Sequence, residues 1–272
     1  MFWVAVIGGL VLTVAAYLIG RRQGGRRHVY RALANLRGRL TANFAPVLKP
    51  RAGEGEVAIS FERERMIFVS DFVDDETLEA LRQEVLSVQD QALRSFIPTH
   101  KKGGTISYEK IHYIAPRCLA FYHSPAVQSY VSSIVGLNVH PTADHDQSSC
   151  SILVYNEAGD HINWHYDHNF YKGRHFTILL GLVNRSRAGG RSSSELMRKL
   201  PTGEELTIST AENHLVIFEG NQCLHRATPA ADGDLRILLS MTYGTTPEIS
   251  WFMEAMRRIK DTAFYGLKVL WD

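Results

Sequence analysis

The segment His161-Ile-Asn-Trp-His165-Tyr-Asp167-His168 places four metal-binding side chains within eight residues. Two geometries compete for it. On a helix, His161 and His165 at i, i+4 share a face, as in zinc proteases, where a Glu directly follows the first His. Here Ile162 follows His161. On a strand, His165 and Asp167 point to the same side, and Ile162, Trp164 and Tyr166 favour a strand. An imidazole and a carboxylate two positions apart can share one metal ion if a third ligand comes from elsewhere. His225 is the candidate, because the run Cys223–Ala227 gives it the inward parity of a later strand. Two histidines and one carboxylate on one face leave coordination positions open, the arrangement of non-haem Fe(II) oxygenases. The zinc HxxxH geometry is the competing metal assignment.

Arg236 lies eleven residues beyond His225, across the turn Asp232-Gly233-Asp234, with Leu238, Ser240 and Thr242 on its parity. A guanidinium inside a barrel is costly unless it meets an anion, and a carboxylate held bidentately is its natural partner. On the outer face it would be an ordinary surface Arg. Tyr155 shares a strand face with Leu153 and can offer a phenol hydroxyl to the same anion. The other histidines His28, His100, His112, His123 and His140 have no partner pattern and read as surface or satisfied core residues.

These side chains need a scaffold of strands. Eight β-like runs, Cys150–Glu157, His161–Asp167, His175–Asn184, Ser194–Lys199, Glu205–Thr210, His214–Phe218, Cys223–Thr228 and Leu235–Tyr243, are separated by Gly-, Pro- and Asn-containing turns. Eight short antiparallel strands at this spacing predict a sandwich, barrel or jelly roll. Ahead of them stand a strand at Met66–Val69 and a helix at Asp74–Val88, capped by Asp74 or Asp75, with Leu78, Leu81, Val85 and Val88 as its apolar stripe. A second helix, Ser124–Val135, turns Ala126, Val127, Tyr130 and Ile134 inward. The fold class is α+β, a jelly-roll core (double-stranded β-helix) with flanking helices.

The ordered set Tyr155, His165-x-Asp167, His225 and Arg236 on successive strands resembles the 2-oxoglutarate- and Fe(II)-dependent dioxygenases, and within them the prolyl-4-hydroxylase-like branch. The stretches FVSDFVDDETLEALRQEV, VYNEAGDHINWHYDH, FTILLGLVN and LVIFEGNQCLHRATPA, and the Gly189-Gly190 turn, carry the same resemblance over residues 66–244. It implies Fe(II), held by His165, Asp167 and His225, with 2-oxoglutarate as co-substrate, O2 as oxidant and ascorbate as an accessory reductant. Arg236 and Tyr155 would hold the distal carboxylate of 2-oxoglutarate, with Thr177 and Ser240 as further candidates for that pocket. Collagen-type prolyl hydroxylases usually have Lys at the place of Arg236, so prolyl specificity does not carry over. The carboxylate of Asp167 also implies that the open chloride site of the superfamily's halogenases is absent. The implied chemistry couples decarboxylation of 2-oxoglutarate to succinate and CO2 with hydroxylation of an unactivated C–H. A non-catalytic, membrane-tethered jelly-roll binding module is the alternative.

Composition sets the surroundings. The 272 residues carry a formal charge of only +2, but residues 1–53 contain nine Arg or Lys and no acidic residue, leaving 21 basic against 28 acidic residues elsewhere. The acidic body excludes a basic nucleic-acid-binding surface. Three scattered cysteines and no CxxC exclude a disulfide framework and a thiolate zinc site, and agree with a reducing compartment. Phe2–Ile19 is uncharged and long enough to span a bilayer at ~1.5 Å per residue, and Arg21, Arg22, Arg26 and Arg27 follow it. The positive-inside tendency makes residues 1–20 a transmembrane anchor with everything after them in the cytoplasm; a cleaved signal peptide is the other reading.

Residues 21–54 then form a basic juxtamembrane segment and linker, with a helical pattern over 28–44 and a hinge over 45–55. Residues 55–248 form the dioxygenase domain and 249–272 an amphipathic helix. That helix lies in the membrane interface, packs on the barrel, or makes a homodimer contact. The substrate is a small molecule, a lipid or a protein side chain. Arg185–Arg191 and Phe96–Gly104, the latter with Lys101 and Lys102, read as exposed loops that could close over the site.

Overall fold

The computed structural model describes residues 29–38, 44–49 and 61–265. In chain order these form α1 (29–38), a single turn α2 (61–64), β1 (Met66–Val69), α3 (Asp75–Val88), β2 (Leu93–Ile97), β3 (Lys101–Ile106), α4 (Tyr108–Ile114), α5 (Pro116–Tyr122), α6 (Pro125–Val135) and β4 (His140–Pro141). They continue as β5 (Cys150–Tyr155), β6 (His161–His165), β7 (His175–Ser186), β8 (Leu196–Lys199), β9 (Glu205–Ile208), β10 (Leu215–Phe218), β11 (Leu224–Ala227), β12 (Asp234–Gly244) and α7 (Trp251–Tyr265). All eight strands expected from turn spacing are present, several trimmed by a residue or two at their ends.

The strands pair antiparallel in the order β1-β10-β7-β12-β5-β3-β6-β11-β8-β9, with β2 added on β3 and β4 on β12. The path curls into a nearly closed barrel, the jelly-roll core. Alternation along its longest strands separates two environments. On β5, β7, β10 and β12, the side chains of Ile152, Val154, Phe176, Ile178, Leu180, Leu215, Ile217, Ile237, Leu239 and Met241 face outward into one apolar layer. Leu81 and Val85 of α3, Cys118 and Phe121 of α5, and Val127 and Ile134 of α6 cover that layer from the other side. The alternate residues Leu179, Val216, Phe218 and Leu238 face the barrel interior with Leu196 of β8. A sheet apolar on both faces in this way must be covered on both.

Local signals fix the covering helices. Asp74 caps α3, its carboxylate accepting from the backbone N–H of Thr77 at 2.8 Å. Helix α6 starts on Pro125 and stops at Gly136, whose φ of 68° is the left-handed C-terminal cap. Its buried stripe is Val127, Tyr130, Val131, Ile134 and Val135. Ala126, expected inward, is exposed, because the stripe begins one residue later.

The segment 96–104 is no loose loop. Leu93–Ile97 and Lys101–Ile106 form a hairpin, and β3 also pairs with β5 and β6. Pairing on both sides makes a strand of KKGGTI, whose composition does not favour one. Helix α1 is held on the body by buried Leu33 and by an ion pair from Arg37 to Asp144. Helix α7 packs on the barrel through buried Arg257, Asp261 and Tyr265, leaving Trp251, Phe252, Met256 and Ile259 exposed. Among the described residues no helix is long and apolar enough to cross a membrane. The apolar run 2–19, its basic flank, most of the hinge and residues 266–272 lie outside the described residues. The described cysteines, Cys118, Cys150 and Cys223, are free and buried.

Candidate metal centre and its cavity

His165 ends β6, His225 lies on β11, and the two are directly paired across the ladder. Asp167 stands two residues beyond His165, past the end of the strand, where its backbone N–H donates to the Gly220 carbonyl at 3.0 Å. One ligand atom from each of the three side chains lies within 4.8 Å of the others. Asp167 Oδ1 is 3.5 Å from His165 Nε2 and 3.7 Å from His225 Nε2.

The imidazoles are oriented by their own strands. Nδ1 of His165 donates to the Asn163 carbonyl at 2.8 Å, and Nδ1 of His225 to the Cys223 carbonyl at 2.9 Å. A carbonyl only accepts, so each Nδ1 carries a proton, and each Nε2 faces Asp167. Phe218 packs edge-on against His225. Burial pushes the His225 imidazole below its ordinary pKa despite Asp167. For His165, burial also opposes the charge, but Asp167 outweighs it and lifts the pKa. Asp167 itself is desolvated, yet His225, His165 and the Thr177 hydroxyl hold its carboxyl well below the usual carboxylate range.

Thr177 is the closest partner of that carboxylate, donating from Oγ1 to Oδ2 at 2.6 Å. It lines both cavities, and its hydroxyl is engaged by Asp167, a candidate metal ligand. Gly220 matters for a steric reason: a Cβ there would lie 2.4 Å from Asp167 Oδ2. Only glycine lets the carboxylate occupy its place.

A cavity of about 90 Å³ leads from His165, Asp167 and His225 to Arg236, walled by Leu153, Tyr155, Leu179, Leu196, Phe218 and Leu238, with Ser240 at its edge. The Arg236 side chain is fully buried. Its Nη2 and Nε donate to Thr210 Oγ1 at 2.8 and 3.2 Å, and Nη1 reaches Ser194 Oγ at 3.4 Å. The Tyr155 ring, directly opposite on β5, lies 5.2 Å from the guanidinium. Among the described residues no carboxylate lies within ion-pair distance of Arg236, and burial lowers its pKa. Its direct partners are hydroxyls, and Glu195 attracts it only from beyond ion-pair distance.

A second, outer cavity of about 220 Å³ opens from the other side of His165 and Asp167. His100 and Lys101 of the hairpin line it, as do His175 of β7, Ser240 and Thr242 of β12, and Lys260, Phe264 and Tyr265 of α7. His100 meets His165 edge-on at 5.7 Å, so it belongs to the site and not to the ordinary surface. Residues 185–191 line neither cavity. Thr210, Ser194 and Gly220 had no signal in the sequence beyond their side-chain types; His100 lies in the segment expected to close over the site, and Lys260, Phe264 and Tyr265 in the helix for which packing on the barrel is one expectation.

Comparison with known proteins bears on the fold. A family model described as HalD, Halogenase D, matches residues 51–172, a stretch that includes His165 and Asp167. No curated protein sequence matches the chain. A prolyl-4-hydroxylase from Pseudomonas putida superposes with a TM-score of 0.54 at 15% identity, covering 70% of this chain and 97% of its own. A Trichoplax adhaerens prolyl hydroxylase, solved with a hypoxia-inducible factor peptide, gives 0.56 at 13% identity, covering 75% and 91%. The epimerase SnoN, solved with Fe3+, alpha-ketoglutarate and nogalamycin RO, gives 0.58 at 10% identity, covering 71% and 84%. The chain has the fold of the 2-oxoglutarate and Fe(II) oxygenases, prolyl-hydroxylase structures among them.

Proposed function

We propose that the protein is an Fe(II)- and 2-oxoglutarate-dependent dioxygenase that hydroxylates an unactivated C–H bond. The observation that carries this reading is the fully buried Arg236, with no ion-pair partner among the described residues, at the end of a cavity that begins at His165, Asp167 and His225. Two Nε2 lone pairs and one carboxylate on one side of a centre fit Fe(II) with positions left for other ligands. A dicarboxylate lying along the cavity would neutralise the guanidinium at its far end.

His165, Asp167 and His225 would hold the iron, which in this superfamily couples decarboxylation of 2-oxoglutarate to oxidation of a C–H bond. The protein's own residues do the rest. Thr177 and Gly220 fix the Asp167 carboxylate. Arg236, held by Thr210 and Ser194 and backed by the Tyr155 ring, orients the co-substrate's distal carboxylate. Leu153, Leu179, Leu196, Phe218 and Leu238 keep water from the inner cavity. Asp167 fills the place that a halide would need, which favours hydroxylation over halogen transfer despite the Halogenase D match.

The apolar run Phe2–Ile19 and the arginines behind it support a single-span tether with the oxygenase body on the cytoplasmic side; protease protection of the body in intact cells tests it. The test of the activity uses the full chain, made metal-free. Fe(II) and 2-oxoglutarate added without oxygen should give a visible charge-transfer absorption, lost in Asp167→Ala and in Arg236→Met. A folded wild-type protein without that absorption, or without succinate formation once oxygen is admitted, would refute the assignment.

A further inference from the structure

The outer cavity has a feature that iron and 2-oxoglutarate leave unexplained. Lys101 is 3% exposed, points into the cavity, and has a single hydrogen-bond partner, Thr105 Oγ1 at 2.9 Å. Its ammonium sits 4.7 Å from the Phe264 ring centre. Among the described residues it has no carboxylate within ion-pair distance. Lys260 lies on the same cavity wall, donating to Ser148 Oγ at 2.6 Å and pairing with Asp261 at 3.2 Å. Asp261 also pairs with Arg257, and the buried Asp146 attracts both Lys260 and Arg257, so the nearby carboxylates serve α7 and leave Lys101 uncompensated. His100, His168 and His175 complete the wall, and among the described residues Asp167 is the only acidic side chain on it. Burial, then Lys260 and Arg94, push the Lys101 pKa down to about 8, which leaves it mostly charged at neutral pH. A buried cation with no counter-charge is costly to keep unless something compensates it.

We infer that the oxidised substrate carries a terminal oxyanion, carboxylate or phosphate, which binds between Lys101 and Lys260 and sets the distance from that end to the carbon that reacts. The inference rests on the proposed oxygenase activity and names its substrate class. Lys101 pairs with Ile162, three residues before His165, so the anion-binding and metal-binding backbone positions lie on the order of 10 Å apart along β6 at ~3.3 Å per residue. The reacting carbon is therefore several bonds from the acidic end, and the chain between them crosses a wall of Ile162, Phe264 and Tyr265.

Butyrate, butyl phosphate and 1-butanol distinguish the two anions from a neutral body of the same length. Their binding to the full-length protein is measured by saturation-transfer NMR, without iron. Either anion should bind at least roughly tenfold more tightly than butanol, as expected for hydrogen bonds to a charged group. Lys101→Met and Lys260→Met should each lose that advantage, while Lys101→Arg and Arg236→Met keep it. The tighter of butyrate and butyl phosphate identifies the head group. Equal binding of butanol, no anion binding, or loss in Arg236→Met with retention in Lys101→Met would overturn the inference. Lys101→Met should keep the Fe(II)–2-oxoglutarate absorption, so failure of that absorption in the wild type counts against the activity and not against the anion site.

Discussion

Strands β5, β7 and β12 present two faces that follow opposite rules. Outward, Ile152, Phe176, Ile178, Ile237, Leu239 and Met241 meet the helices in a layer of apolar side chains. Inward, Ser151, Tyr155, Thr177, Arg236, Ser240 and Thr242 are mostly buried as deeply but carry hydroxyls and a guanidinium. Each outward side chain contributes about 1.5–3 kcal/mol by leaving water. The inward face removes polar groups and a charge from water, which costs free energy unless a ligand compensates. The larger apolar layer lies on the helix side and the candidate site on the barrel side, where Leu153, Leu179 and Leu238 pack between its polar groups, and substitutions should sort by face.

The largest separation is expected from Asp167→Ala. It should weaken Fe(II) binding by more than the roughly 10–100-fold that an outer-layer change costs, while the metal-free melting temperature holds or rises. Titration with Fe(II) under argon, beside thermal unfolding, measures both; a large fall in melting temperature would show that the faces are not independent. Leu239→Ala is the opposite case, expected to cost about 2–5 kcal/mol in urea unfolding with Fe(II) affinity unchanged in the folded protein.

Lys101→Met sharpens the comparison through pH. The folded pKa of Lys101 falls from 10.5 to about 8, so keeping its proton opposes folding. At ~1.36 kcal/mol per pKa unit that opposition is at most about 3 kcal/mol. It is fully present below pH 8, shrinks as pH rises toward 10.5, and is gone above it. The cations facing Lys101 are Lys260 from α7 and Arg94 from β2, with His100 beside it in the chain. Lys101→Met should therefore be more stable than wild type at pH 7, with the gain fading above pH 8 in unfolding curves taken from pH 6 to 10. Thr177→Val has the smallest expected effect, a loss of about 10–100-fold in Fe(II) affinity with stability nearly unchanged. A similar loss in Ser240→Ala would mean that the cavity wall in general, and not the hydrogen bond to Asp167, sets the affinity.

Sequence made the candidate metal-binding set legible because strand parity is simple. His165 and Asp167 share a side, His225 pairs opposite His165, and Arg236 alternates correctly with Ile237. The rule fails where the ladder does. Between Ile237 and Leu238 the pairing with β7 slips by one residue, so Leu182 and Val183 both enter the helix-side core. Asn184 is thereby turned to accept from Ser192 N–H at 2.9 Å, beside the stretch that supplies Ser194. No alternation pattern announces such a bulge. The hairpin was hidden for another reason: its strand KKGGTI is held by neighbours on both sides and not by its own preferences. Which hydroxyls meet Arg236 was equally hidden, since Ser192, Ser193 and Ser194 are chemically alike and only the fold selects among them.

Helix α7 enters the chain after every candidate iron and co-substrate residue, yet it contributes Lys260, Phe264 and Tyr265 to the outer cavity. Reactivity and selectivity thus have separate addresses in the polypeptide. Exchange of residues 251–265 is a route by which descendants of this chain, or an engineer, could retune which compounds are admitted while leaving the iron ligands as they are.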